Sequence, residues 1–296
     1  MVALPPTPRM TLRTFVSAVG VVLAVLLTAV AVPTAWVDQN IVKEEGFVRI
    51  AGSLGNDPGF QGRLAAAAVG TFESSVDLPD PIQSLAADAL RKAASGMQSW
   101  SDYPKAWEDT VRNSHKLNFG TVDQAEEARG STALVLDIGP MVRLVRDHFA
   151  EATTIRIDVP AESLVSLGQP SHRQLVERVA TFAPLWWVAA LGAVVSALLA
   201  LVASRRRSLV LVFLGLGGLA LAALWTAGAD LAGGVVGNLD SANGVAELFK
   251  DEFLTAARAG FGQWVVIAAV VSGVVLVVGV IAAVVSGRQR SRSALS

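Results

Sequence analysis

The chain has 296 residues, 52% of them hydrophobic and only 17% charged, with 24 basic and 25 acidic side chains. Soluble domains carry about a quarter charged residues, so an apolar excess of this size needs surroundings without water, which excludes an ordinary soluble enzyme and a nucleic-acid binder. With no cysteine, disulfides, thiol nucleophiles and thiolate metal sites are excluded as well.

The excess is concentrated in four stretches, 14–35, 183–203, 209–229 and 263–285, none of which contains Asp, Glu, Lys, Arg or His. At 1.5 Å per helical residue each is long enough to cross a hydrocarbon core of about 30 Å. The predicted fold is a membrane all-α bundle of four transmembrane helices with a mainly α extracytoplasmic domain that contains a small two-stranded β element. The lipid bilayer is thus the first expected partner.

Residues 1–13 carry Arg9 and Arg13, the turn 204–208 carries Arg205, Arg206 and Arg207, and the tail 286–296 carries Arg288, Arg290 and Arg292. No acid accompanies these eight arginines, which leaves 16 of the 24 basic residues with all 25 acids in 36–182 and 230–262, a net of −9. Short arginine-rich loops stay cytoplasmic. The expected location is therefore the plasma membrane, multi-pass, with both termini cytoplasmic and the two acidic segments outside. Trp36, Trp186, Trp187, Trp225 and Trp264 all fall at span ends that this rule places outside, where amphipathic indole rings favour the membrane boundary. Ala29-Val30-Ala31 resembles a signal-peptide cleavage site. The long apolar run and the Trp36 anchor instead predict a retained first span.

The segment 36–182 is long enough to bury its own core. Phe47, Ile50, Ala51 and Leu54 share one helical face. Asp57-Pro58 can open a helix carrying Phe60, Leu64, Ala68, Phe72 and Val76, because proline is permitted in a first turn. A breaker at 77–81 precedes a stripe of Ile82, Leu85, Ala86, Ala89, Leu90, Ala93 and Met97, and Ser101 is the expected cap of a helix carrying Tyr103, Trp107 and Val111. After an acidic link at 123–129, the alternating runs 132–137 and 153–158 read as two strands flanking a helix begun by Pro140, with Met141, Leu144, Val145 and Phe149 on its face. That order permits a parallel pair. Beyond Pro170, Leu175, Val176, Val179 and Phe182 continue at helical spacing into the second span, which predicts one long helix. Residues 38–170 are expected to fold without the membrane. The loop 230–262 is glycine-rich up to Gly244 and then amphipathic at Val245, Leu248, Phe249, Phe253 and Ala256. Such a helix either lies on the outer leaflet or packs under the domain.

Trp36 followed by Phe47-Val48, Asp57-Pro58 with Gln61 and Leu64, and the run Leu136-Asp137-Ile138-Gly139-Pro140-Met141-Val142 resemble uncharacterised actinobacterial four-span integral membrane proteins with an extracytoplasmic helical domain. Trp107, Arg112 and His115 match the W-x3-N-R-x-A-H run of that group, with Val111 in place of its Asn and Ser114 in place of its Ala. The resemblance implies the layout but no activity.

Proton and ion pathways need ionisable groups within the bundle, and the four spans hold none. Hydroxyls such as Ser17, Thr28, Ser196 and Ser272 are expected to bond to their own helices. Gly192-x3-Ser196, Gly215 with Gly217 and Gly218, and Ala269-x3-Gly273 are expected to let helices approach closely within the bundle; oligomeric state is left open. His115, His148 and His172 show no metal-ligand spacing, and no Gly-x-Ser-x-Gly, His-Glu-x-x-His or phosphate-loop motif occurs. Asp77 with Asp80 and Glu44 with Glu45 read as capping or solvated acids, and Asp137 and Asp158 as turn acids. No catalytic, cofactor or metal residue is therefore assigned, and the chain leans away from an enzyme. The leading expectation is an outer domain that binds a protein or cell-envelope component, with the spans as anchor. An enzyme of envelope lipid or polymer at the domain–membrane boundary and a small-solute transporter are the alternatives. The candidate binding face is Trp100, Tyr103, Trp107, Arg112 and His115, residue types enriched both in cores and in binding hot spots.

Overall fold

The computed structural model describes residues 12–64, 92, 96–120, 134–153, 164–166, 170–238, 241 and 244–293. Four helices in it are long and apolar enough to cross a membrane, over Leu12–Val42, Val176–Ala203, Arg207–Gly237 and Gly244–Ser286. The chain divides into two units: Met1–Trp36, Pro184–Asp230 and Phe261–Ser296 form one, and Val37–Ala183 with Leu231–Gly260 the other.

The first unit is built from the apolar parts of α1 (Leu12–Val37), α7 (Trp186–Ala203), α8 (Arg207–Gly237) and α9 (Gly244–Ser293). Helices this apolar come close to one another at small residues. At Gly20 a Cβ would lie 2.9 Å from the Ser196 carbonyl, and Ser17 donates to the Ala200 carbonyl at 3.0 Å. A Cβ at Gly215 would lie 2.6 Å from the Leu276 amide, and one at Gly279 2.7 Å from the Val212 amide. The expected small-residue contacts are thus present at Gly215, and at Gly192, where a Cβ would be 3.0 Å from Leu27, whereas Gly273 faces open space. Thr28 and Ser272 bond to carbonyls one turn back, as expected, but Ser17 reaches across to a second helix. Trp225 packs with Leu221, Ala222 and Val265 and donates its indole N–H to the Ala29 carbonyl at 3.1 Å.

In the second unit, α1 gives way to a π-helical turn, Asp38–Val42, followed by α2 (Glu44–Leu54). Glu44 and Glu45 occupy the first turn of α2, where carboxylates favour the positive end of the helix dipole. Helix α3, described over 58–64, begins as predicted: the Asp57 carboxylate accepts the amides of Gly59 (2.7 Å) and Phe60 (3.2 Å), and Pro58 sits where no amide is needed. Ala68, Phe72 and Val76, and the stripe from Ile82 to Ala93, lie outside the described residues. Its last member, Met97, opens a 3-10 turn, Met97–Ser99. The unit centres on α4 (Tyr103–Phe119), whose buried face of Tyr103, Ala106, Trp107, Thr110, Val111, Ser114 and His115 repeats at helical spacing. Its flanking residue is Asp102, and Ser101 donates only to the Asp102 carboxylate, at 3.4 Å, so the expected serine cap is not made.

Strand β1 (Val135–Asp137) lies within the predicted 132–137 run. Its partner is not 153–158: Thr153 closes helix α5 (Gly139–Thr153), and 154–158 lie outside the described residues. The partner is β2 (Leu164–Ser166), and the pair is antiparallel, with Leu136 opposite Val165. Helix α6 (Pro170–Phe182) does not run unbroken into α7. A 3-10 turn, Ala183–Leu185, intervenes at Pro184, which cannot donate to the helical ladder. Helix α8 extends to Gly237, so much of the glycine-rich segment expected in a loop is helical. The core of this unit gathers Ala51, Leu54, Phe60, Tyr103, Trp107, Val111, Met141, Leu144 and Phe249. Phe249, with Leu248, Phe253 and Ala256 packed alongside, comes from α9, so the amphipathic segment packs into the domain core.

Candidate functional site

Helix α4 carries four of the five face residues, with Trp100 just before its start, but does not expose them together. Tyr103 (1% exposed), Trp107 (2%) and His115 (5%) are buried, whereas Trp100 and Arg112 are half-buried. The Trp107 indole donates to the Ala51 carbonyl at 2.9 Å and meets Phe60 edge-on at 5.5 Å. Gly55 is required on its other side, since a Cβ there would overlap the indole ring. Burial pushes the Tyr103 phenol up to about 12, so it stays a neutral hydroxyl. Trp100 stacks flat on His148 with centroids 3.9 Å apart.

His115 donates from Nε2 to the Ile41 carbonyl at 3.1 Å; because a carbonyl only accepts, Nε2 carries the proton. The ring stacks on Phe119 and lies 5.1 Å from Phe47, and burial holds its pKa below the ordinary 6.5. Arg112 bridges two carboxylates, Glu44 of α2 at 2.5 Å and Glu108 at 2.6 Å, and these bonds raise its pKa further. Asp137, the turn acid of the Leu136–Val142 run, accepts the Gly139 amide at 2.8 Å and the Asn113 side-chain amide at 3.1 Å while Ser114 accepts the Asp137 amide. Each of these groups is engaged in holding helices together. Among the described residues no three His, Asp or Glu side chains converge as a metal site would need.

An accessible concavity lies beside this core. A cleft of about 330 Å³ opens between the second half of α2 and the first turns of α4, lined by Arg49, Ser53, Asn56, Pro104, Trp107 and Glu108. Gly52 and Gly55 are among its lining and place no side chain in it. Of its lining only Trp107 belongs to the expected face. Arg49, Ser53 and Asn56 carry no sequence signal, since polar residues on an exposed helical face and in a turn are what any soluble surface supplies.

No protein family, curated protein or solved structure matches the chain. The functional reading therefore rests on the geometry of the chain itself.

Proposed function

We propose that the chain is a multi-pass plasma-membrane protein, both ends of it cytoplasmic, whose helical domain faces outward and binds a protein or cell-envelope component, with the spans as anchor. The same reading places it with the actinobacterial four-span proteins it resembles. The observation that supports it most directly is where polar side chains remain available. Helices α7 and α8 are joined by residues 204–206 alone, too short a link for a recognition module. The unit comprising Val37–Ala183 and Leu231–Gly260 instead carries an open cleft and a solvent-accessible polar face over its own core. Orientation follows from the arginine-rich, acid-free segments flanking the spans.

Single cysteines in this cysteine-free chain test it. In intact cells a membrane-impermeant thiol reagent is expected to label Ser99→Cys, whose parent side chain is exposed, and to label Ser208→Cys only after permeabilisation. The reverse pattern would overturn the orientation. Photo-crosslinkers placed on exposed positions around the rim of the α2–α4 cleft are expected to capture a protein or a cell-envelope polymer, and crosslinks confined to membrane lipid would overturn the binding role.

A further inference from the structure

We infer that the cleft between α2 and α4 is a binding site for a small hydroxylated carboxylic acid, either free or as one residue of an acidic polymer. The inference deepens the binding role proposed above and rests on it only for the side of the membrane on which the ligand is met. A volume of about 330 Å³ lies at the small end of ligand sites, roughly 300–1,000 Å³, which suits one small ring or short chain rather than a helix or folded partner. Arg49 lines the cleft, is exposed and, among the described residues, makes no hydrogen bond or ion pair. Its guanidinium fork is thus available for a bidentate carboxylate.

The neighbouring groups narrow the class. Asn56, without a side-chain partner among the described residues, offers both a donor and an acceptor. Glu108 also lines the cleft, and its charge is already compensated by Arg112 at 2.6 Å. One guanidinium fork supplies a single positive charge, which matches a monoanionic carboxylate rather than a dianion such as a phosphate monoester. A ligand ammonium has little to gain from Glu108 while Arg112 holds it. Hydroxyl groups, by contrast, can donate to the Glu108 oxygens and to Asn56 without displacing that ion pair. Pro104 and the edge of Trp107 supply the apolar floor on which the carbon skeleton of such an acid can rest.

The test uses the full chain purified in mild detergent, with melting followed against galacturonate, polygalacturonate and neutral galactose. Both acids are expected to raise Tm saturably, with half the effect on the order of 1 mM for the monomer, as befits a single charge-assisted fork, and galactose is expected to leave it unchanged. Arg49→Gln should melt like wild type without ligand, because among the described residues Arg49 makes no hydrogen bond or ion pair, and should lose the ligand-induced rise at least tenfold in midpoint. A lower midpoint per uronate for the polymer supports a polymer residue as the natural ligand, and equal midpoints support the free acid. No rise with either acid, an equal rise with galactose, or a rise retained in Arg49→Gln would overturn the site. Because purified protein is used, this outcome is independent of the cysteine-labelling result.

Discussion

Trp107 is constrained on three sides: its N–H is bonded to Ala51, its ring edge meets Phe60, and Gly55 lies flat against it. Trp107→Ala removes a fully buried indole and is expected to cost about 3–5 kcal/mol, read as a clear fall in domain Tm; an unchanged Tm would show that the ring contributes by contact with a ligand instead. His115 lends the same core a pH dependence of known sign. Its folded-state pKa is lowered by burial, so as pH falls the unfolded chain takes up the proton first. The stability it contributes is complete above about 6.5, the ordinary histidine value, and is lost as pH drops from there toward the folded pKa. His115→Gln keeps a donor for the Ile41 carbonyl but cannot titrate. The wild-type advantage over this variant, measured as a Tm difference, is expected to be larger at about pH 7.5 than at about pH 5. A difference independent of pH would remove His115 from the account.

At the scale of elements, what was legible in the sequence depended on whether a signal was periodic over enough residues. The α4 face and the start of α3 were readable, one from 3.6-residue spacing over 17 residues and the other from the Asp-Pro pair with its fixed capping geometry. The strand pairing was not. Leu164–Ser166 is three residues long, and a three-residue strand shows no alternation that separates it from a loop. The pairing is set by tertiary contacts that no local pattern carries: the Asn118 side chain acts as a third strand, donating to the Val135 carbonyl at 2.6 Å and accepting the Val135 amide at 3.0 Å. The break at Pro184 was visible as a residue but masked by the unbroken apolar spacing on either side of it. The π-helical turn at Asp38–Val42 also escaped, because a one-residue change of helical pitch alters no composition. It is matched by Gly46, where any side chain would collide with the Gln39 carbonyl. Candidate site residues fared similarly. Aromatic residues announced themselves as a cluster, whereas the cleft arises only where two helices pack side by side.

For the whole molecule, the domain is discontinuous in sequence, and this alters how it should behave when cut. Read from the sequence, residues 38–170 formed a candidate independent domain. The structure instead assigns Leu231–Gly260 to the same unit, with Phe249 in the central cluster beside Trp107 and Phe253 packed against Phe47 at 5.1 Å. An Arg63–Glu252 ion pair ties α3 to the same stretch of α9. Burying a phenylalanine contributes roughly 3–5 kcal/mol by truncation experiments, a large share of the 5–15 kcal/mol that holds a typical domain together. A fragment of residues 37–182 is therefore expected to show helical circular dichroism but no sharp thermal transition. Joining residues 244–260 to it through a flexible linker should restore cooperative melting, and the same fusion carrying Phe249→Ala should not. Cooperative unfolding of 37–182 alone, at a Tm equal to that of the fusion, would show that the α9 segment merely covers a core that is already complete.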